Sequence, residues 1–276
     1  MNELFEDISY RTSRLVTNAY STSFSIGVRS LHPSIRNAIY SIYGFVRLAD
    51  EIVDTFHEYD KSKLLADFEH AYYEALKDRI SLNPVLNSFQ ETVRKFNITD
   101  DLVQAFLNSM KCDLNQTKYD EKGIKDYIYG SADVVGLMCL KVFVNGNKTE
   151  YEKLKPYAMR LGSAFQKINF LRDLQHDTND LHRIYFPILK SEPLNKENKK
   201  TILNDIMEDY RVAMIGIEKL PKEAMTGVYI AYLYYRALTK RIQLLSAEDL
   251  MSKRISVPTY EKILLLCRAY IYTKLN

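Results

Sequence analysis

Apolar residues recur at helical spacing along nearly all of this chain, and a 3.6-residue repeat commits each such segment to burying one face of a helix. Turn formers are scarce. Nine glycines and seven prolines in 276 residues are about half the share of average usage, which favours long helices over many short strands. The spacing predicts helices over 3–20, 34–57, 61–80, 84–97, 100–117, 123–146, 149–177, 199–219, 222–246 and 258–274. Proline at His32-Pro33, Asn83-Pro84 and Val257-Pro258 falls near a helix start, where its missing N–H costs little. Asn97-Ile98-Thr99-Asp100 supplies capping side chains before a new repeat. Residues 178–198 are polar, carry two prolines and read as a long loop with a short ordered piece at Arg183–Pro187.

Forty-six per cent of the residues are apolar, enough to bury a substantial core. No internal repeat or linker interrupts them, so the expectation is one all-α domain over residues 1–276. Thirty-eight basic and 35 acidic residues are mixed along the length, for a net charge of +3. Nucleic-acid binding needs a concentrated basic stripe, and none is present. Cys112, Cys139 and Cys267 lie far apart with no CxxC pairing, so buried thiols in a reducing cytosol are expected rather than disulfides or zinc. The acidic N-terminus MNELFEDISYR lacks the apolar stretch of a secretory signal. No apolar run approaches the ~20 residues of a membrane span. A soluble cytoplasmic protein is the expectation, and nothing in the sequence points to a particular oligomeric state.

Two polar stripes carry the chemistry. At 100° per residue, Tyr40, Tyr43, Arg47, Asp50 and Asp54 fall within about 80° of one helix face, with Ile42, Phe45, Ala49, Ile52 and Val53 on the other faces. Asp50 and Asp54 are one turn apart, and their carboxylates repel unless a cation sits between them. The second stripe repeats the device with Gln166, Asn169, Asp173 and Asp177. Here Phe165, Ile168, Leu171 and Leu174 frame short polar groups, the pattern of a strip looking into an internal cavity.

Carboxylates bind Mg²⁺, or Mn²⁺ in its place, through few direct contacts and leave positions for substrate phosphate oxygens. Two facing stripes can therefore clamp a diphosphate between helices, with Arg47 and Arg172 adding bidentate hydrogen bonds. Together they stabilise the charge that develops as pyrophosphate leaves. The allylic cation left behind needs a dry cavity with aromatic faces, for which 21 tyrosines and 12 phenylalanines are raw material.

Several motifs occur in order: Tyr20-Ser21-Thr22-Ser23-Phe24-Ser25; Ile42-Tyr43-Gly-Phe-Val-Arg47-Leu-Ala-Asp50-Glu-Ile-Val-Asp54; Asp113-Leu114; Tyr127-Ile-Tyr-Gly-Ser-Ala-Asp-Val-Val-Gly136; Gln166-Lys-Ile-Asn169-Phe-Leu-Arg172-Asp173; and Arg183-Ile-Tyr185-Phe-Pro187. The set resembles the squalene/phytoene synthase family of head-to-head trans-prenyl transferases, bacterial phytoene synthases in particular. The resemblance implies an isoprenoid-synthase-type helical bundle around a central cavity. It implies that Asp50, Asp54, Asn169, Asp173 and Asp177 are magnesium ligands or their close supports. It implies that Arg47, Gln166, Arg172, Tyr20, Ser21 and Ser23 contact diphosphate, that Phe24, Tyr43, Tyr127 and Tyr185 line the reacting region, and that Arg183 joins substrate binding. The implied chemistry joins two prenyl diphosphates through a cyclopropylcarbinyl diphosphate. Proton loss then gives phytoene or dehydrosqualene, whereas hydride from NADPH gives squalene.

The expected reaction is condensation of two geranylgeranyl diphosphates to phytoene without NADPH; squalene or dehydrosqualene from farnesyl diphosphate is the alternative. Two departures bear on the product: Ala132-Asp133-Val134 puts a carboxylate where the family commonly has glycine, and residues 246–252 lack a tyrosine before Lys253-Arg254. The chain as given ends at Asn276 without the C-terminal membrane anchor of many squalene synthases. An apolar C40 product still implies peripheral contact with a membrane, although no anchor stands out. Other readings are weaker. Asp54-x-x-His57 and Asp173-x-x-His176 mimic the pairs of di-iron bundles, but those use glutamate, and the neighbouring arginines oppose iron. A non-catalytic assembly factor would be expected to lose the four aspartates, which are all kept. A head-to-tail elongase would carry Asp-Asp-x-x-Asp, which both stripes lack. His57 and His176 read as helix-end surface residues, and His32, His70 and His182 as surface or loop positions.

Overall fold

The structure, a computed structural model, describes residues 2–115, 119–179, 183–252 and 254–275. His182, Lys253, the end of the helix expected over 100–117 and part of the 178–198 loop lie outside the described residues. The first half contains α1 (Asn2–Tyr20), α2 (Thr22–Arg29), α3 (Pro33–Asp54), α4 (Lys61–Asp78), α5 (Pro84–Lys95), α6 (Asp100–Asn115) and α7 (Glu121–Ile128). A π-helical turn over Tyr129–Asp133 leads into α8 (Val134–Phe143) and α9 (Lys148–Arg172). The chain continues through α10 (Leu174–Asn179), a 3₁₀ turn at Pro187–Lys190, α11 (Lys196–Ile217), α12 (Lys222–Leu244), α13 (Ala247–Leu250) and α14 (Thr259–Leu275). No strand occurs among the described residues. The all-helical class read from the repeat is the class observed.

Local chemistry sets the boundaries. Pro33 and Pro84 open α3 and α5, and Asn83, Asp60 and Asn147 cap their helices by accepting backbone N–H bonds. Two expected helices are divided, and one helix is added. Ser21 accepts from the Phe24 amide and starts α2, a helix not expected from the repeat, while α1 ends at Tyr20 as expected. The helix expected over 123–146 is interrupted by the π turn. The one expected over 149–177 stops at Arg172; Asp173 sits beyond it, and α10 starts at Leu174. Within the long loop, Arg183, Tyr185 and Phe186 of the expected ordered piece are buried, and a 3₁₀ turn follows at Pro187–Lys190.

Two adjoining apolar clusters hold the helices. In the first, Phe45 of α3 is fully buried and stacks on Phe89 of α5 at 4.0 Å between ring centroids, with Phe68, Tyr72 and Phe106 around it. The second gathers Ile168 and Leu171 of α9, Ile206 and Tyr210 of α11, and Leu238 and Ile242 of α12. Burying one such side chain is worth about 1.5–3 kcal/mol. Between the clusters the π turn is gripped on both sides. A Cβ on Gly130 would lie 2.7 Å from the Ala105 carbonyl oxygen of α6, and one on Gly162 of α9 would lie 2.9 Å from the Ala132 carbonyl oxygen.

The three cysteines are free, as expected, but they are not buried thiols: Cys112 and Cys267 are exposed and Cys139 is half-buried. Each helix turns the Cys112 or Cys267 position outward, which a single small apolar residue does not reveal. Asp133, at the end of the π turn, is buried and accepts a 2.8 Å bond from the Ser163 hydroxyl. Its neighbours Arg160 and Lys167 bond Asp209 instead, at 2.8 and 2.7 Å. Burial pushes the Asp133 carboxyl up to about 7.

Alanine in place of glycine inside a helix ordinarily stabilises by about 0.5–1 kcal/mol. Gly162→Ala is expected to do the reverse, losing about 1–3 kcal/mol because the new methyl meets backbone that cannot yield. A lower midpoint in urea denaturation checks this.

Candidate active site

A cavity of about 370 Å³ runs between the two clusters. Its walls come from α2 (Ser21 at its cap, Ser23, Phe24, Val28), α3 (Ile39, Ile42, Tyr43, Val46), the π turn and α8 (Ser131, Ala132, Cys139, Phe143), α9, α11 and α12. Along α9 the lining passes from Arg172 through Asn169, Gln166, Phe165, Gly162, Leu161, Ala158 and Tyr157 to Leu154. Those 18 residues of rise span about 27 Å. One end is polar; the other is closed by Leu31, Phe143, Leu154, Ile217 and Leu220. Two stacked aromatic pairs flank the polar end, Phe24 on Tyr43 at 4.6 Å and Phe165 on Tyr235 at 3.9 Å.

The carboxylates stand around that polar end. Asp50 lies one turn beyond the cavity-lining Val46, and Arg47 bonds both Asp50 and Glu51. The Arg47 guanidinium lies 4.3 Å from the Tyr20 ring, while its Nε is buried with no hydrogen-bond partner. An orphaned donor of this kind is costly unless a ligand accepts from it. Burial, followed by repulsion from Asp54, pushes the Asp50 carboxyl up to about 7 in spite of Arg47.

On the opposite side, Arg172 Nε bonds both Asp173 oxygens at 3.0 and 3.1 Å, and Arg254 Nε reaches Oδ1 at 2.8 Å. Tyr235 donates to Asn169 Oδ1 at 3.2 Å. The Asp177 amide still bonds the Asp173 carbonyl at 2.9 Å across the helix break. The second stripe therefore survives the break. Burial, then the charge of Asp173, pushes the Asp177 carboxyl up to about 7.

Arg183 joins the two stripes. Its backbone N–H donates to the Asp177 carbonyl at 2.7 Å, and its Nη1 donates to Asp54 Oδ1 at 2.9 Å. Nη2 donates to the Asp113 carbonyl at 3.0 Å. The Asp113 carboxylate accepts from Tyr127 at 2.8 Å and Tyr119 at 3.4 Å, and burial holds its pKa up near 7. Tyr185 stacks on Phe170 at 4.0 Å and lies against Tyr119 and Tyr127.

The structure thus brings Asp50, Asp54, Asp177 and Arg183 into one electrostatic unit and sets Asp173 with Arg172 beside it. Ser21, Ser23, Phe24, Tyr43, Gln166, Asn169 and Arg172 line the cavity, whereas Tyr20 packs outside it on Arg47. Tyr127 and Tyr185 differ from the expectation: both are buried behind the carboxylates, Tyr127 bonding Asp113 and Tyr185 stacking on Tyr127, and neither lines the cavity. The sequence pattern assigns no role to Glu51, Tyr119 or Tyr235, marks Asp113 only as part of a motif, and gives Phe165 only as an apolar residue framing the second stripe. Glu51 carries a signal, since it follows Arg47 by one turn; Tyr119 precedes α7 and Tyr235 stands on α12, away from both stripes. His57 and His176 are exposed at helix ends.

Among the described residues no three acidic, histidine or cysteine side chains form a metal cage by themselves. The donor set, carboxylate oxygens with one amide and a local excess of negative charge, suits a hard cation that keeps water and substrate phosphates as ligands.

Arg183→Met is expected to destabilise the chain by about 3–5 kcal/mol, because it leaves carboxylates buried without their cation. The loss is smaller at about pH 5.5 than at about pH 8, because Asp113 takes up a proton as pH falls through its raised pKa. Chemical denaturation of both proteins at the two pH values checks the magnitude and the sign.

The family model for squalene/phytoene synthase matches residues 17–261. The chain is 26% identical to a phytoene synthase of Arthrospira platensis, covering 94% of this chain and 91% of that protein. It is 24% identical to a 4,4'-diapophytoene synthase of Staphylococcus haemolyticus, covering 73% of this chain and 70% of that one. The crystal structure of a dehydrosqualene synthase in complex with ligand superposes with a TM-score of 0.81 at 19% identity, over 98% of each chain. The carboxylate-ringed cavity therefore sits in a fold already known, and the match over most of the sequence gives the lineage: this chain belongs to the squalene/phytoene synthase family.

Proposed function

We propose that this prenyltransferase condenses two geranylgeranyl diphosphates head to head, through a cyclopropylcarbinyl diphosphate, to phytoene. Head-to-head condensation of prenyl diphosphates comes with the family; the chain length, the metal and the residue roles are inferred. The observation that carries the reading is the division of one cavity into a charged mouth and a long apolar body. A diphosphate belongs at the first and a prenyl tail in the second. The depth of about 27 Å along α9 favours the longer tail.

Asp50, Asp54, Asn169, Asp173 and Asp177 would hold Mg²⁺ or Mn²⁺, which when bound offsets the charge on the departing pyrophosphate. Arg47 offers its unpartnered Nε–H to a phosphate oxygen, and Arg172, on the cavity wall, offers a second cationic donor. Ser21 and Ser23 add hydroxyls, and Gln166 an amide, at the same end. Arg183 keeps the two stripes at a fixed separation, so little reorganisation is needed as the C–O bond breaks. Below the mouth, Leu161, Val46 and Ile42 exclude water from the allylic cation. The ring pairs Phe24–Tyr43 and Phe165–Tyr235 present π faces to it. Loss of a proton ends the sequence, so no NADPH is required.

Incubating purified chain with Mg²⁺ and geranylgeranyl diphosphate is expected to yield phytoene, identified by mass spectrometry of the extracted hydrocarbon. Asp50→Ala or Asp173→Ala lowers turnover by about 10³-fold or more. A C30 hydrocarbon from farnesyl diphosphate alone would overturn the chain length and keep the reaction class. No hydrocarbon from either substrate would overturn the catalytic reading.

Ala158 lines the lower cavity wall. Ala158→Phe is expected to shorten the body and move the ratio of kcat/KM toward farnesyl diphosphate by about tenfold or more. Competition between the two substrates measures it.

A further inference from the structure

We propose that the outward face of α14 docks on an anionic lipid bilayer, beside the cavity mouth. At 100° per residue, Tyr270, Ile263, Cys267, Tyr260, Ile271 and Leu264 fall within about 120° of one helix face. All six are exposed: Tyr260 by 65%, Ile263 by 56%, Leu264 by 64%, Ile271 by 62% and Tyr270 by 43%. A helix inside a folded chain ordinarily turns such residues inward. On this one Ala269 is buried at the opposite side, so the apolar stripe faces away from the protein.

The exposed charges on this face are basic, and the acids beside it are engaged: Tyr272 of α14 donates to Glu218 at 2.9 Å. Arg268 and Lys274 are exposed with the apolar residues, and no acidic residue is. Glu261 is only half-buried, and Arg241 Nε donates to it at 3.1 Å. Aliphatic side chains, two tyrosines and flanking cations are the composition of a helix lying in a membrane interface. A two-fold pairing of copies through this face would bring the Arg268 and Lys274 cations of both copies together. No helix is long and apolar enough to cross a bilayer among the described residues, so α14 lies along the surface.

The face also has a position. Lys262, on the inner side of α14, donates to Thr22 at 3.1 Å and lies 5.5 Å from the Tyr234 ring. Thr22 stands between Ser21 and Ser23, and all three of Ser21, Ser23 and Tyr234 line the cavity. At the same end Arg254, 71% exposed, bonds Asp173. A bilayer against α14 therefore adjoins the opening through which an amphiphile with a long apolar tail enters and a hydrocarbon leaves.

The test is co-sedimentation of the full chain with vesicles of phosphatidylcholine and phosphatidylglycerol, and with vesicles of phosphatidylcholine alone. The expected result is binding to the mixed vesicles that weakens with salt. Ile263→Glu with Leu264→Glu lowers the partition coefficient by about a hundredfold. Arg268→Glu with Lys274→Glu abolishes the preference for the anionic vesicles. All four positions are exposed, so the variants fold, and circular dichroism verifies it. Absence of wild-type binding, or equal binding by the folded aliphatic double variant, overturns the proposal. So does conversion of an oligomer to a monomer by that variant with vesicle binding unchanged. The inference rests on the proposed function only for the identity of the mouth. Vesicle binding is read without substrate, so a chain that binds bilayers and makes no hydrocarbon fails the reaction alone. One that makes phytoene and ignores bilayers fails the surface alone.

Discussion

Arg183 carries a burden out of proportion to its place in a loop. It reaches Asp54 with one nitrogen, the Asp113 carbonyl with another and the Asp177 carbonyl with its backbone N–H. The carboxylates it gathers are more negative than their arginine neighbours are positive, which is why burial and mutual repulsion hold Asp50, Asp113 and Asp177 near 7. A folded chain keeps such a group together only where something else is bound there in use. The stacked tyrosines behind Asp113 belong to the same arrangement. Tyr127 and Tyr119 donate to the carboxylate from a dry environment, and Tyr185 stacks against both rings.

Much of this is legible in the amino-acid sequence, for a definite reason. Carboxylates one helical turn apart must share a face, so spacing alone pairs Asp50 with Asp54 and Asp173 with Asp177. The limits have equally definite causes. Asp113 of α6, Tyr119 just before α7 and Tyr235 of α12 lie on segments whose patterns say nothing about which neighbour they meet, and Glu51 is masked by the motif around it. The break at Asp173 is silent because the amide–carbonyl bond from Asp177 keeps the four-residue spacing across it. The π turn is silent too, since one inserted residue leaves the apolar run from Val134 onward intact. Family likeness puts Tyr127 and Tyr185 on the wall of the reacting space, one layer forward of where they stand behind the charges.

The mouth and the body of the cavity make opposite physical demands, and separate stretches of the same helices meet them. On α9, Gln166, Asn169 and Arg172 are polar, while Leu154, Ala158 and Leu161 at the other end are not. On α3, Val46 and Ile42 lie one and two turns below Asp50. Charge is thus confined to one end by helix length alone. An allylic cation formed there can be pushed down an apolar passage without meeting a competing nucleophile.

The π turn gives the cavity wall a particular character. Where Gly130 and Gly162 hold it, the wall is backbone against backbone, with carbonyl oxygens less than 3 Å from where a methyl would be. A wall of side chains can be enlarged or narrowed one atom at a time as a lineage drifts; the glycine junction has almost no such intermediate settings. Heritable variation in the volume offered to a prenyl tail is therefore channelled to positions that meet the space with side chains, such as Val28 of α2, Ala158 of α9 and Ile217 of α11. The glycine junction acts as a fixed datum and those positions as an adjustable jaw.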